Sequence, residues 1–313
     1  MKTAIIVLNY NDYDNTQKFV KSIQNYKILN KIVIVDNYSS KKDELNLLKK
    51  LECSKVDVIS SEKNGGYAYG NNYGLYYLDN KYGKDFFDYV IISNPDVYVS
   101  EETIEKSINF LQLNTNSVIA APRMFFKNGP ARRSSWKKRS ISIDIANSTR
   151  LTQFLFYFIF KKGEYLKKDF ENDILKVDAI AGSFFIADIN KFRKIGYFDE
   201  NTFLFYEEDI LGEKAKKQNY DIYSLNKLKF IHYDSQTIGK LVSAFKKQDI
   251  LFDSRIYFHK KYNKANFFQI TILNILRYIR KFELFFEIPL KKLVHIIKNN
   301  WHISFWMVKY KCI

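Results

Sequence analysis

The chain reads as an α/β protein built on a mixed, nucleotide-binding type of sheet, and three observations predict this. Short β-branched runs alternate with longer mixed segments through the first hundred residues. Polar residues stand where each apolar run ends, and 46% hydrophobic content over 313 residues is enough to bury a sizeable core. Such alternation predicts parallel strands joined by right-handed crossovers, with ligands bound beyond the carboxyl ends of the strands.

Taken in order, strands are expected over residues 5–8, 31–35, 56–60 and 89–93, with helices over 16–26 and 42–51. Asn9 and Asn11 follow the first strand, and Asp36 follows the second. The run Tyr89-Val90-Ile91-Ile92-Ser93 leads into Asn94-Pro95-Asp96, where Pro95 has no N–H to donate and so ends the pairing with Asp96 at the strand exit. The same triplet also suits an ordinary turn. Between them, Asn64-Gly65-Gly66-Tyr67-Ala68 to Asn72-Tyr73-Gly74 is dense in small residues and reads as a turn followed by a small-faced helix over 68–77, a hairpin being the alternative. It matches neither a dinucleotide fingerprint nor a P-loop. The pattern loosens over 120–177, around Pro122, Gly129-Pro130 and the basic cluster from Arg132 to Arg139, and this stretch is expected to be rich in loops. A strand over 180–186 and a helix over 209–218 follow, and the chain after about residue 253 is expected to be helical. This divides it into a main domain over 1–254 and a basic amphipathic extension over 255–313.

Charge and cysteine content narrow the function classes. The net charge is +16, and from Arg255 onward twelve Lys/Arg stand against two acids, so +10 of it lies in the extension. A basic, aromatic-rich tail serves nucleic acid or an anionic membrane surface. No recognition module, zinc spacing or RNA-binding signature accompanies it, so no nucleic-acid partner is expected. Cys53 and Cys312 are too few for a disulfide framework and fit a reducing compartment. The first residues read as a strand and not as a signal peptide. No run reaches the roughly eighteen apolar residues that a spanning helix requires. The greasiest segment, over 151–160, stops at Lys161-Lys162 and would lie on a membrane or in a core. With Lys291-Lys292, Trp301, Trp306 and Tyr310 it predicts peripheral attachment, the alternative being a homodimer contact.

Several residues carry candidate chemistry. Asp36 could accept the imide N–H of a uracil or thymine, or cap the helix that follows. In Phe203-Leu204-Phe205-Tyr206-Glu207-Glu208-Asp209-Ile210, three acids open a helix, where its dipole favours them structurally; the aromatic wall before them would also raise the proton affinity of Asp209 towards that of a general base. His232 ends the run Phe230-Ile231-His232 and is a candidate metal ligand, or a hydrogen-bonded core residue.

In this order and spacing the segments resemble the family 2 glycosyltransferases, inverting enzymes of the GT-A fold, and among them the bacterial rhamnosyltransferase-like members. The resemblance runs from Ile5 to Gly239. Val7-Leu8-Asn9-Tyr10-Asn11, Val35-Asp36-Asn37-Tyr38-Ser39 and the Asn64 to Gly74 segment look like donor-binding motifs. Ser93-Asn94-Pro95-Asp96 looks like the metal-binding Asp-x-Asp, and Gly196-Tyr197-Phe198-Asp199-Glu200 with Glu208-Asp209 looks like the acceptor-side signature. The resemblance implies donor contacts from Asn9, Asn11, Asp36, Asn64, Gly66, Tyr67, Asn72, Asn94, Asp96 and Gly182. It also implies a Mg²⁺ or Mn²⁺ on Asp96 and His232, Asp209 as base and Glu208 as its orienting partner. The implied partners are a dTDP- or UDP-linked sugar and a lipid-linked saccharide acceptor of cell-surface polysaccharide assembly, on the cytoplasmic face of the plasma membrane. Two departures stand out: Asn94 replaces the first acid of the metal motif, and Leu211 stands where many members carry a further acid. A catalytically silent sugar-nucleotide or scaffold protein, or a polyanion-binding protein, is the rival reading.

Overall fold

The computed structural model describes residues 1–131, 134–157, 167–233 and 243–309, with side chains up to residue 289 except at 167 and 168. The strands are β1 (Thr3–Asn9), β2 (Lys31–Asp36), β3 (Val56–Ser60), β4 (Tyr89–Ser93), β5 (Val97–Tyr98), β6 (Ser117–Phe126), β7 (Gly129–Pro130), β8 (Ser135–Trp136), β9 (Ile174–Val177), β10 (Ala179–Ile180), β11 (Phe184–Asp188) and β12 (Asp221–His232). A ten-stranded sheet runs in the order β3-β2-β1-β4-β11-β6-β12-β5, with β7 on β6 and β9 on β12; β8 and β10 form a separate pair. β1 is parallel to both β2 and β4, and β2 to β3, while β11 runs antiparallel to β4 and β6. The sheet is therefore mixed, with its parallel half at the N-terminal end of the chain.

The alternation that predicts this half also explains its packing. Ile6, Val33, Val35 and Ile92 face one layer with Ala68, Leu75 and Leu78, whereas Ile5, Val7, Ile32 and Ile34 face the other with Phe19, Ile23 and Ile104. Covering both faces is what makes the strands apolar throughout. The covering helices are α1 (Tyr13–Ile23), α2 (Glu44–Lys49), α3 (Gly66–Tyr82) and α4 (Glu101–Leu113). α3 lies close to the sheet because it presents hydrogen where other residues carry Cβ: an added Cβ would stand 2.5 Å from Leu8 Cδ1 at Gly70 and 2.9 Å from Ile6 Cγ2 at Gly74. A helix, not a hairpin, follows the Asn64-Gly65 turn.

The stretch expected to be rich in loops contains more order. β6 passes through Pro122, which sits opposite Leu225 where the β12 pairing becomes irregular, so the missing N–H falls at a register shift. Short helices α5 (Ile141–Ala146) and α6 (Arg150–Leu155) follow, then α7 (Ile189–Lys194) and α8 (Glu207–Lys217). The chain ends in α9 (Ala244–Lys261) and α10 (Phe267–Lys309), so helix α9 crosses residue 254, where the sequence reading divided the chain. Residues 158–160, the side chains of Lys291, Lys292, Trp301 and Trp306, and Tyr310 lie outside what is described.

Candidate active site

Because β1, β2 and β4 are parallel, their carboxyl ends open on the same edge, bringing Asn9, Asp36 and Asp96 to one side of the sheet. Asn9 is fully buried; its amide donates to Asp36 Oδ1 at 3.1 Å and Glu44 Oε1 at 3.2 Å, and its carbonyl oxygen accepts from Thr16 at 2.8 Å. Asp36 also accepts from the Ser39 hydroxyl and from the Ser39 N–H at 3.3 Å, so it closes its own exit turn. Asn11, left-handed at φ 55°, accepts from the Lys41 N–H at 2.8 Å and donates to Ser40 at 3.0 Å. These residues knit the first two strand exits into a single cradle.

The loop before α3 adds the next wall. Asn64 Oδ1 accepts from the Gly66 N–H and the Asn37 amide, both at 3.2 Å. Gly66 sits at φ +91°, and a Cβ there would stand 2.0 Å from the Phe203 carbonyl oxygen, which accepts the Tyr67 N–H at 3.0 Å. Asn72 turns to the 198–200 segment, donating to Phe198 O at 3.1 Å and to Glu200 Oε1 at 2.7 Å, and accepting from the Phe198 N–H at 3.1 Å.

Beyond β4, the Asn94 N–H donates to Ser183 O at 2.9 Å. β5 pairs with β12 so that Val97 lies opposite His232, which sets His232 Nε2 3.1 Å from Asp96 Oδ1. Residues 136 positions apart in sequence thus become neighbours. Among the described residues, no three His, Cys, Asp or Glu side chains are grouped as a metal-binding set.

Gly182 joins the two halves of the site. Its N–H donates to Glu208 Oε1 at 3.1 Å, its carbonyl accepts from the Tyr67 hydroxyl, and a Cβ would stand 2.8 Å from Glu208 Oε1. Glu207, Glu208 and Asp209 form the first turn of α8. Asp209 is 4% exposed; Trp136 Nε1 donates to its Oδ1 at 3.0 Å, and Arg139 Nε lies 3.4 Å from its Oδ2. Among the described residues no donor is aligned for a hydrogen bond to Oδ2. Burial pushes the Asp209 carboxyl up to about 7, with Arg139 opposing and Asp144 and Glu208 assisting. Burial likewise raises Glu208, and raises Glu207 well above the usual carboxylate range with the Glu208 charge adding to it. Such an arrangement suits proton abstraction near neutral pH.

Trp136 and Arg139 escaped the sequence reading, which saw only a basic loop. The signal was a Trp and an Arg within four residues of that cluster, and Arg139 does stand over the Trp136 and Tyr206 rings at 5.2 and 5.0 Å.

Residues 4–185 match the family described as glycosyl transferase family 2. The low-salt glycan biosynthesis hexosyltransferase Agl10 of Haloferax volcanii is 27% identical over 73% of this chain, and the match spans 66% of that protein's length. The rhamnosyltransferase WbbL of Escherichia coli K12 is 22% identical over 73% of this chain and 82% of its own. Among solved structures, GalNAc-T7 with UDP, GalNAc and Mn²⁺ superposes with TM-score 0.57 at 13% identity, over 91% of this chain and 56% of that one. Pyrobaculum calidifontis PcManGT with GDP-Man and Mn²⁺ gives TM-score 0.53 at 11% identity, over 88% and 69% of the two chains. Staphylococcus aureus TarS 1-349 with UDP gives 0.51 at 15%, over 87% and 70%. With more than half of its length matched to the family and the same mixed sheet as the GT-A glycosyltransferases, the chain belongs to glycosyl transferase family 2.

Proposed function

We propose that the protein transfers a rhamnose-like sugar or hexose from a dTDP- or UDP-linked donor to a hydroxyl of a lipid-linked saccharide, with inversion at the anomeric carbon. The observation that carries this reading is Asp209: a carboxylate buried at the head of α8, raised to about 7, with Arg139 Nε 3.4 Å from its Oδ2 and, among the described residues, no donor aligned for a hydrogen bond there. In this reading Asp209 takes the acceptor proton as the hydroxyl attacks from the face opposite the diphosphate. Glu208, tied to Gly182, orients the acceptor or the base. Asn11, Asp36, Asn64, Gly66, Tyr67, Asn94 and Gly182 line or brace the donor side, while Asn9 and Asn72 act through Asp36 and the 198–200 segment.

The Asp96 carboxylate and His232 imidazole are chemically fit to hold a Mg²⁺ or Mn²⁺ whose remaining ligands would be diphosphate and water oxygens. Such a cation, when bound, neutralises charge on the leaving diphosphate. The relatives' names, hexosyltransferase and rhamnosyltransferase, and the UDP, GDP-Man and Mn²⁺ of the similar structures support the donor class and the cation.

The membrane assignment, peripheral on the inner face of the plasma membrane, rests on residues 255–313 and α6. Among the described residues no helix is long and apolar enough to cross a membrane. Phe154, Phe267, Phe268, Phe282 and Phe285 are nonetheless each more than 65% exposed. The Arg150 N–H donates to Glu283 at 2.9 Å, so the start of α6 is tied to α10. Residues 290–313 add five lysines and no acid, which favours an anionic surface over a second subunit.

Calorimetric titration with UDP, dTDP, GDP and ADP, each with and without Mn²⁺, tests the donor side. One pyrimidine diphosphate should bind, and more tightly with metal. Failure of all four in folded protein would overturn the reading. Flotation with anionic liposomes tests the membrane assignment; a dimer that does not float would replace it.

A further inference from the structure

The loop that leads into α8 is held by a helix to which the transfer chemistry assigns no part. Residues 199–206 run from the acceptor-side signature to the base, and at their far end Phe205 and Tyr206 both have left-handed backbone, at φ 74° and 70°. Adjacent non-glycine residues in that region persist only where surrounding contacts enforce them. Those contacts come from α9 and its cap, at three points along the loop. Asp199 Oδ2 accepts from the Tyr257 and Tyr262 hydroxyls at 2.8 and 2.6 Å and from Lys261 Nζ at 2.9 Å. Ser254 Oγ donates to Leu204 O at 2.8 Å. Arg255 Nε donates to the Tyr206 hydroxyl at 2.9 Å, and that hydroxyl donates to Asp144 Oδ2 at 2.7 Å.

Ser254, Tyr257 and Lys261 recur at helical spacing on one face of α9, with Arg255 on the adjoining stripe and Tyr262 at the cap. The last anchor is dry: Tyr206, Asp144 and Arg255 are each at most 4% exposed, and so is His259, whose Nε2 lies 2.7 Å from Asp144 Oδ2. At the first anchor, although burial raises it, the Tyr262 hydroxyl, Asn201 and Lys261 hold the Asp199 carboxyl well below the usual range.

We propose that α9 is a clamp on the base-bearing loop, in which Arg255, acting through the Tyr206 hydroxyl, is a positioning residue that fixes where Asp209 stands. The link to Asp209 is short, since Tyr206 directly precedes the helix that carries it and Arg139 lies between the Tyr206 ring and the Asp209 carboxylate. The positioning role rests on the transferase reading; the clamp itself does not.

Tyr206→Phe keeps the ring and removes both hydroxyl contacts, and Tyr257→Phe loosens the other end with less risk to folding. Amide hydrogen exchange in the unliganded full chain reads the clamp directly. Exchange over residues 199–209 should quicken in both variants while β1 and β4 stay protected. Wild-type exchange in both folded variants would overturn the clamp, whatever the protein transfers.

The positioning role is read in the pH–rate profile. Asp209 faces Arg139 and Asp144 from the 139–144 segment and Glu207 and Glu208 from its own helix, while Arg255 and His259 of α9 act on it through Asp144. In Tyr206→Phe, water reaching Asp209 should move the acid limb to lower pH. Turnover should fall on the order of tenfold to a hundredfold with nucleotide affinity unchanged. Wild-type turnover with an unmoved acid limb would overturn it. Absence of any transfer by the wild-type protein would instead overturn the function, leaving the exchange result to decide the clamp.

Discussion

The half of the site formed by residues 1–98 and the half formed by residues 134–262 are held by different forces. The first rests on dry strands, apolar on both faces, whose exits are set by parallel register. Burial of that surface is worth about 25 cal/mol per Å², spread over many interchangeable contacts. The second adds to its apolar packing a few long-range polar contacts, Trp136 and Arg139 to Asp209, Gly182 to Glu208, and Tyr206 to Asp144 and Arg255, several of them at left-handed turns. On the proposed reading, a site so built gives one substrate a rigid floor and the other a side-chain-tuned wall. Changes in the wall should therefore alter chemistry more than fold, and changes in the floor the reverse.

The sharpest way to break that contrast is Asp209→Asn. Transfer should fall by about 10²–10⁴-fold with nucleoside diphosphate affinity unchanged, as turnover assays beside calorimetry would reveal; near-normal turnover would remove Asp209 from its role. On the floor, Gly66→Ala forces a Cβ against the Phe203 carbonyl at a left-handed position. It should cost roughly 1–3 kcal/mol, seen as a lowered denaturant midpoint, and an unchanged midpoint would mean the loop moves aside freely. Asp96→Asn should cancel the gain in nucleotide affinity on adding Mn²⁺, by about tenfold or more, while leaving metal-free binding in place.

The smallest effect is the most diagnostic of the wall. Burial lifts the Asp209 carboxyl from an ordinary 3.8 to about 7, so between those values the folded protein keeps a proton that the unfolded chain releases. Stability contributed by the protonated form is therefore lost as pH rises through that window. The Tm of Asp209→Asn relative to wild type should rise from pH 5 to pH 8; a constant difference would show that Asp209 titrates as an ordinary surface acid.

The same contrast decided what was legible in the sequence. Short continuous apolar runs mark β1, β2 and β4, and polar residues after each mark their exits, because both signals are local. β6 was hidden by Pro122, whose missing donor is absorbed at a register shift with a strand a hundred residues away. Asp209 was legible from the aromatic run before it, but Trp136, 73 residues away, was not, since nothing local in a basic loop announces which carboxylate it will meet. Asn72 is a comparable case: its motif reads as donor-facing, and the fold turns its amide to Phe198 and Glu200.

The two-residue length of β5 has a consequence for the protein's behaviour in company. On the side of β12 away from β6 the sheet is finished by β9 and β5, and at β5 it offers only Val97 and Tyr98, between Pro95 and the start of α4. So short a strand gives a neighbouring molecule almost no ladder to extend at that point of the edge. The turn that delivers Asp96 to the site thus also shortens the sheet's rim beside it.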